Sequence, residues 1–232
     1  MDKKVFAPLC RIDKDTYRDP NHVSEFVDDI MTHMFATESL YSARFGYMLK
    51  QKEFTEKMRF ILVDWLIEVH HKFKLRDETL FITVSLLDRY LQLFSVPKKN
   101  IQLLSVACLL IACKYEEIYP PTMKDFVFIS EKKYTSEMII RMEEQVLMAV
   151  DFNVQTQSPA RFLDRFCKIA RADQETTFTA LYLLDCLMLS YNSLQFLPSL
   201  QAASALYLAE RLQGIDFQWT SLFVKHTRYD KE

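Results

Sequence analysis

Glycine is nearly missing from this sequence: its 232 residues hold two, Gly46 and Gly214, far apart in the chain. A loop that cradles phosphate needs several glycines close together so that the backbone can reach the ligand, which sets GxGxxG sites and P-loops aside. Asn-Gly and Asp-Gly are absent too, and without these hairpin turns a meander or sandwich has little support. There is no basic block. Lys plus Arg number 29 and Asp plus Glu 31, mixed along the chain to a net charge of −2. Such a surface lacks the footprint that binds a phosphate backbone, so nucleic acid is not an expected partner. The five cysteines, Cys10, Cys108, Cys113, Cys167 and Cys186, make no CxxC pair. Cys108, Cys113 and Cys186 stand in apolar helical runs, where Cys acts as a small hydrophobe, which fits a reducing compartment. The amino terminus has no signal-peptide run, and the longest apolar stretch, Leu103 to Cys113, is too short to cross a bilayer. No membrane partner is expected.

What is present is helix. Half of the residues are hydrophobic, enough for a sizeable core. Val23, Phe26, Val27, Ile30 and Met34 recur at helical spacing after a loose arm over 1–20, and 38–55 reads as a connector over the surface. Dense helical blocks follow at 56–73, 77–94, 100–115, 122–129 and 135–150. A second group follows at 158–171, 174–191, 198–213 and 216–226, with Ser158-Pro159 and Leu197-Pro198 opening two helices. The groups are related. A shift of 97 positions without gaps lays Glu78-Thr79-x-Phe81 on Glu175-Thr176-x-Phe178 and Leu86-Leu87-Asp88 on Leu183-Leu184-Asp185. Leu103, Leu109 and Ala112 fall on Leu200, Leu206 and Ala209 in the same register. This is an internal duplication, and its unit is a whole domain rather than a solenoid repeat.

Candidate chemistry is sparse. The five histidines, at 22, 33, 70, 71 and 226, make no HExxH pattern, so no metal site is expected, and His70-His71 read as the exposed end of a helix. Asp64, Asp88 and Asp185 sit in apolar runs that would raise their proton affinity, either as acid/base groups or as buried ion-paired carboxylates; the duplication of Asp88 and Asp185 favours a role in the fold. No GxSxG or nucleophile–base pairing stands out, and no enzyme activity is expected. The stretch Met58-Arg59-Phe60-Ile61-Leu62-Val63-Asp64-Trp65-Leu66 is apolar nearly all round. It reads either as a central helix enclosed by neighbours or as one whose Met58, Ile61, Leu62, Trp65 stripe faces a partner.

That stretch resembles the MRxILxDWL signature of the cyclin box. Glu78-Thr79-Leu80, Leu87-Asp88-Arg89-Tyr90, Val96-Pro97-Lys98-Lys99 and Ala112-Cys113-Lys114-Tyr115-Glu116-Glu117-Ile118-Tyr119-Pro120-Pro121 follow at that family's spacing. The detail is similar to mitotic A/B-type cyclins, with VPKK leaning towards B. The resemblance implies an all-α fold of tandem five-helix boxes: an arm and helix over 1–55, a first box over 56–154, and a second over 155–232 that lacks its last helix. It implies a regulatory subunit of a cyclin-dependent protein kinase, without cofactor or metal, acting in the nucleus and cytoplasm. Kinase contacts would then fall on Lys114, Tyr115, Glu116, Glu117, Ile118, Glu143, Phe152 and Val154, with Phe26, Ile30 and His33; apart from the resemblance, Lys114 reads as a solvated cation at a helix end. Substrates and inhibitors bearing a basic-x-Leu segment would dock on Met58, Ile61, Leu62, Trp65, Glu68, Gln102 and Ile129. Lys72, one turn past Glu68, stands where some relatives carry an acid and weakens that attraction. Arg59 and Asp88 would pair structurally. A cyclin-fold transcription factor of the factor IIB type would share the duplication, but the mixed charge opposes a DNA-facing surface.

Overall fold

The computed structural model describes residues 12–13, 23–215 and 218–231, and these carry ten α-helices. The arm expected over 1–20, Cys10 and His22 lie outside them, except for Ile12 and Asp13. Most helices begin where a short polar side chain takes up a free N–H. After α1 (Val27–Tyr41), α2 (Glu56–Phe73) starts on Thr55, whose hydroxyl accepts from the Met58 N–H. α3 (Asp77–Leu93) carries Asp77 and Glu78 in its first turn, and α4 (Ile101–Glu116) follows a short 3₁₀ turn. α5 (Met123–Ile129) opens with a reciprocal Thr122–Asp125 box and α6 (Ser136–Ala149) on Thr135. α7 (Pro159–Ala170) and α8 (Gln174–Leu189) start on Ser158 and Asp173, α9 (Pro198–Leu212) on its proline, and α10 (Ser221–Thr227) on Thr220. Each such cap is worth about 1 kcal/mol, which fixes where helices begin even in a chain this apolar.

The duplication in the sequence is a duplication in space. α3 and α8 begin at 77 and 174, and α4 and α9 at 101 and 198, the same shift of 97. Lys74 and Arg171, also in register, end α2 and α7 in the left-handed conformation at φ 53° and 58°. The buried hydroxyls of Thr79 and Thr176 each donate at 2.6 Å to a side chain just past the end of the third helix, Glu117 in one group and Gln213 in the other. The first group adds α5 and α6; the second adds α10 among the described residues.

Packing differs from the sequence reading at four places. The enclosed helix is α4, not α2: Leu103 to Cys113 are all buried between α3 and α6, whereas α2 leaves Phe60 and Ile61 47% and 58% exposed. The stretch 38–55 is no surface connector. α1 runs on to Tyr41, a 3₁₀ turn spans Tyr47–Lys50, and Tyr47 and Phe54 are core residues. These aromatics lack helical spacing, so periodicity missed them. α10 starts at Ser221, later than the 216 expected, because Thr220 supplies the cap. His70 is buried, while His71 is exposed. The amino-terminal arm meets the second group at buried Asp13, which takes both Nη atoms of Arg165 on α7, at 2.6 and 2.9 Å, and Lys168 Nζ at 3.1 Å.

Candidate functional site

Arg59 on α2 and Asp88 on α3 meet in the interior, each about 1% exposed. Arg59 Nε donates to Asp88 Oδ1 at 2.8 Å and Nη2 to Oδ2 at 2.6 Å, a two-pronged pair. The Tyr47 hydroxyl adds a third donor to Oδ1 at 2.6 Å. The remaining nitrogen, Nη1, crosses to the second group and donates to the Met188 carbonyl at the end of α8, 3.0 Å away. Burial opposes the Arg59 charge, yet Asp88 holds its proton affinity above that of an ordinary guanidinium. The cluster therefore ties α2, α3, the turn at Tyr47 and α8 together.

Asp185, the register mate of Asp88, lacks that arginine because Thr156 stands where Arg59 stands in the first group. Its carboxyl is pushed up to about 6, by burial first and then by the charge of Asp77. Asp77 itself lines a cleft between the two groups, together with Arg76, Glu78, Glu116, Arg161 and Asp164. There Glu78 accepts from the Ser158 hydroxyl and pairs with Arg161 at 3.0 Å, and burial raises the proton affinity of Glu78 and Asp164 as well. A carboxyl raised in the folded state binds protons that the unfolded chain has released, so its burial costs stability above its folded pKa and not below its unfolded one. Asp185→Asn should thus raise the melting temperature at pH 7.5, by about 1–2 kcal/mol of stability once solvent around the site is allowed for. The gain should fade as pH falls through 6 and be gone near pH 4; an unchanged gain at both ends would contradict the assignment. Asp64 is exposed on α2 and does not converge with Asp88 or Asp185. No group of side chains among the described residues is arranged to hold a metal ion.

The second notable region lies where α4 ends beside α6. Lys114 Nζ contacts Glu143 Oε1 at 2.6 Å, with the lysine side chain half exposed and the glutamate side chain mostly covered. Around the ends of these helices stand large apolar side chains in solvent: Tyr115 in the last turn of α4 with Ile118 and Tyr119 beyond it, and Met148 in the last turn of α6 with Phe152 beyond it. Phe152 follows Asp151 in the left-handed region, at φ 56°, and this turn sends Phe152 outward and Val154 inward. The resemblance put Val154 on a partner surface; the structure buries it in the core. Glu116 and Glu117 are likewise occupied within the chain. Glu117 accepts from the Arg76 N–H at 2.8 Å and from Thr79, and Glu116 pairs with Arg76 and Arg161. Phe26, Ile30 and His33 are exposed on or beside α1, which is linked to the chain beyond Phe152 by a Gln157 Nε2 to Thr37 hydrogen bond of 3.0 Å. Tyr119 and Met148 belong to this exposed fringe, although the resemblance names neither as a kinase contact; no periodicity marks them, since one stands past the end of α4 and the other in the last turn of α6.

On α2 the expected stripe is split by burial. Leu62 shares the inward face with Arg59, Leu66 and Val69, so it is a core residue and not an open anchor. Ile61 is exposed, Met58 and Trp65 are half-buried against the core, and Glu68 is exposed. Gln102 and Ile129 are half-buried nearby on α4 and α5, where Lys133 Nζ reaches Gln102 Oε1 at 3.3 Å.

Residues 29–155 match the family model described as cyclin, N-terminal domain, and residues 158–232 the one described as cyclin, C-terminal domain. Among curated proteins the chain is similar to cyclin-B2-1 of Oryza sativa subsp. japonica, 39% identical over 224 residues that make up 97% of this chain and 53% of that protein. It is also similar to G2/mitotic-specific cyclin-B of Marthasterias glacialis, 39% identical over 221 residues, 95% of this chain and 57% of that one. The chain spans about half the length of these relatives. Among solved structures it is similar to a viral cyclin from herpesvirus saimiri, with a TM-score of 0.78 and 22% identity over 86% of this chain and 90% of that one. A chain of the yeast RNA Pol II CTD kinase CTDK-1 complex gives a TM-score of 0.64 at 14% identity, over 76% and 61%. At these identities the solved structures speak for the fold alone.

Proposed function

The chain belongs to the cyclin family, and on that premise we propose that it is a regulatory subunit, without chemistry of its own, that binds and activates a cyclin-dependent Ser/Thr protein kinase in the mitotic cell cycle. The observation that supports this most is the fringe of solvent-exposed Tyr115, Ile118, Tyr119 and Phe152 around the Lys114–Glu143 pair. Apolar side chains of this size gathered at one corner are the mark of a surface kept for a protein partner. Lys114 and Glu143 hold one another at 2.6 Å in the free chain. A kinase backbone that offers a carbonyl and an N–H beside them can share both charges without a large desolvation cost. Seated there, the subunit presses the kinase αC helix inward, so that the Lys–Glu pair forms and the activation loop leaves the cleft. The same proposal takes the stripe of Met58, Ile61 and Trp65 as a docking place for an extended Leu-bearing segment of substrates and inhibitors, with Glu68 facing its basic residue. It also takes residue 155 as the start of the second box, and the nucleus and cytoplasm as the place of action.

Gel filtration of the chain with a monomeric cyclin-dependent kinase tests the first step. A one-to-one complex should elute at micromolar concentration. Two separate peaks under those conditions would overturn the proposal.

A further inference from the structure

The docking surface on α2 is edged by lysines. Met58, Ile61, Trp65, Glu68 and Lys72 follow at spacings of three and four, one continuous stripe of the helix. At its carboxyl-terminal end, Lys72 lies 5.1 Å over the ring of Phe128, which is 61% exposed, and this pair lines a hollow with Ile129, Glu131 and Lys132. Lys133, next in the chain, reaches across to Gln102, and also lines a second hollow with Lys98 and Lys99. The acids near this edge are Glu53, Glu68 and Glu131, and the Glu53 carboxylate accepts the Lys98 backbone N–H at 3.0 Å. Among the described residues, none of Lys72, Lys98, Lys99, Lys132 and Lys133 forms an ion pair. Five exposed cations without carboxylate partners beside an apolar stripe, on a chain whose net charge is negative, make a local field that suits anionic side chains.

We propose that this edge reads the sequence beside the apolar anchor: the segment that docks on the Ile61–Trp65 stripe carries aspartate or glutamate residues on the flank that reaches Lys72, Lys132 and Lys133. The inference rests on the docking reading of α2 given above and names the class of segment it takes. The apolar residue lies against Ile61 and Trp65, Glu68 faces a basic residue where one is present, and the acidic flank runs over Phe128 between Lys72 and Lys132. Each exposed Lys–carboxylate pair contributes little alone, but two or three acting together separate an acidic flank from a neutral one by about tenfold in affinity at low salt.

Three fluorescent peptides with one shared basic-x-Leu core, flanked by Asp/Glu, by Ser/Gly or by Lys/Arg, are titrated with the intact chain and read by anisotropy. The acidic flank should bind about tenfold tighter than the neutral one at ~0.05 M salt and lose most of that margin at ~0.5 M. Lys72→Glu with Lys132→Glu should erase the margin, and because both residues are exposed, helical content should not change. Equal binding of the acidic and neutral peptides, or tighter binding of the basic one, overturns the proposal. The docking reading fails separately: in that case Ile61→Asp, an exposed position, leaves binding of all three peptides unaltered. An acidic peptide whose Leu→Ala version binds equally well shows bare attraction of polyanions and also overturns the proposal. So does a margin that appears with phosphoserine in the flank and not with aspartate.

Discussion

Asp88→Ala should lower the stability of this protein by about 3–5 kcal/mol, because it leaves the Arg59 guanidinium charged, buried and without its carboxylate. The environment argues for the upper part of that range. Arg59 is 1% exposed, so water cannot stand in for the lost oxygens, and the Tyr47 hydroxyl loses its acceptor at the same time. For a chain of this length the change corresponds to a fall in melting temperature on the order of 10 °C. A paired replacement separates the stranded charge from the lost contact. Arg59→Met with Asp88→Leu removes both charges and should cost less than Asp88→Ala alone, while still losing the bond from Arg59 to the Met188 carbonyl. Thermal unfolding followed by circular dichroism reads both. An unchanged melting temperature for Asp88→Ala would contradict the account of this cluster.

The second large effect concerns the surface and not the interior. Lys114→Ala with Glu143→Ala should weaken kinase binding by about thirtyfold or more, the loss typical of anchors that cost over about 2 kcal/mol. Because the two charges neutralise one another in the free chain and leave together, no unpaired ion remains, and the melting temperature should move by no more than a few degrees. Phe152→Asp should act in the same direction, since a side chain 67% exposed in the free chain holds little of the fold together. Surface plasmon resonance against an immobilised kinase gives the affinity. Retention of wild-type affinity in both variants would remove this corner from the proposed interface.

The helices were legible because their starts are chemical. Ser158-Pro159 and Leu197-Pro198 are punctuation that a sequence carries openly, and the blocks they open match the observed ones within a few residues. The duplication was legible for a related reason: matching helices keep one register, down to the left-handed ends at Lys74 and Arg171. Direction of facing was less legible. Leu62 and Ile61 are neighbours of similar hydrophobicity, and only the position of α3, α4 and α8 decides that one is core and the other surface. Val154 lies inward although the resemblance sets it on a partner surface, and the turn that places it there rests on two consecutive left-handed residues, Asp151 and Phe152, neither of them a glycine that would announce it. Tyr47 and Phe54 were hidden by a stretch without periodicity, and the bond from Arg59 to Met188 spans 129 residues, beyond any local pattern. The lysine edge was visible in part at Lys72, but its extent depends on α5 folding back so that Phe128 and Lys132 meet α2.

The central claim is activation, and one assay meets it directly. A monomeric cyclin-dependent kinase is incubated with ATP and a histone-type Ser/Thr substrate, with and without the purified chain. The account predicts that phosphate transfer is near background for the kinase alone, absent for the chain alone, and raised strongly by a stoichiometric mixture. A mixture that forms the complex yet transfers no more phosphate than the kinase by itself would contradict it.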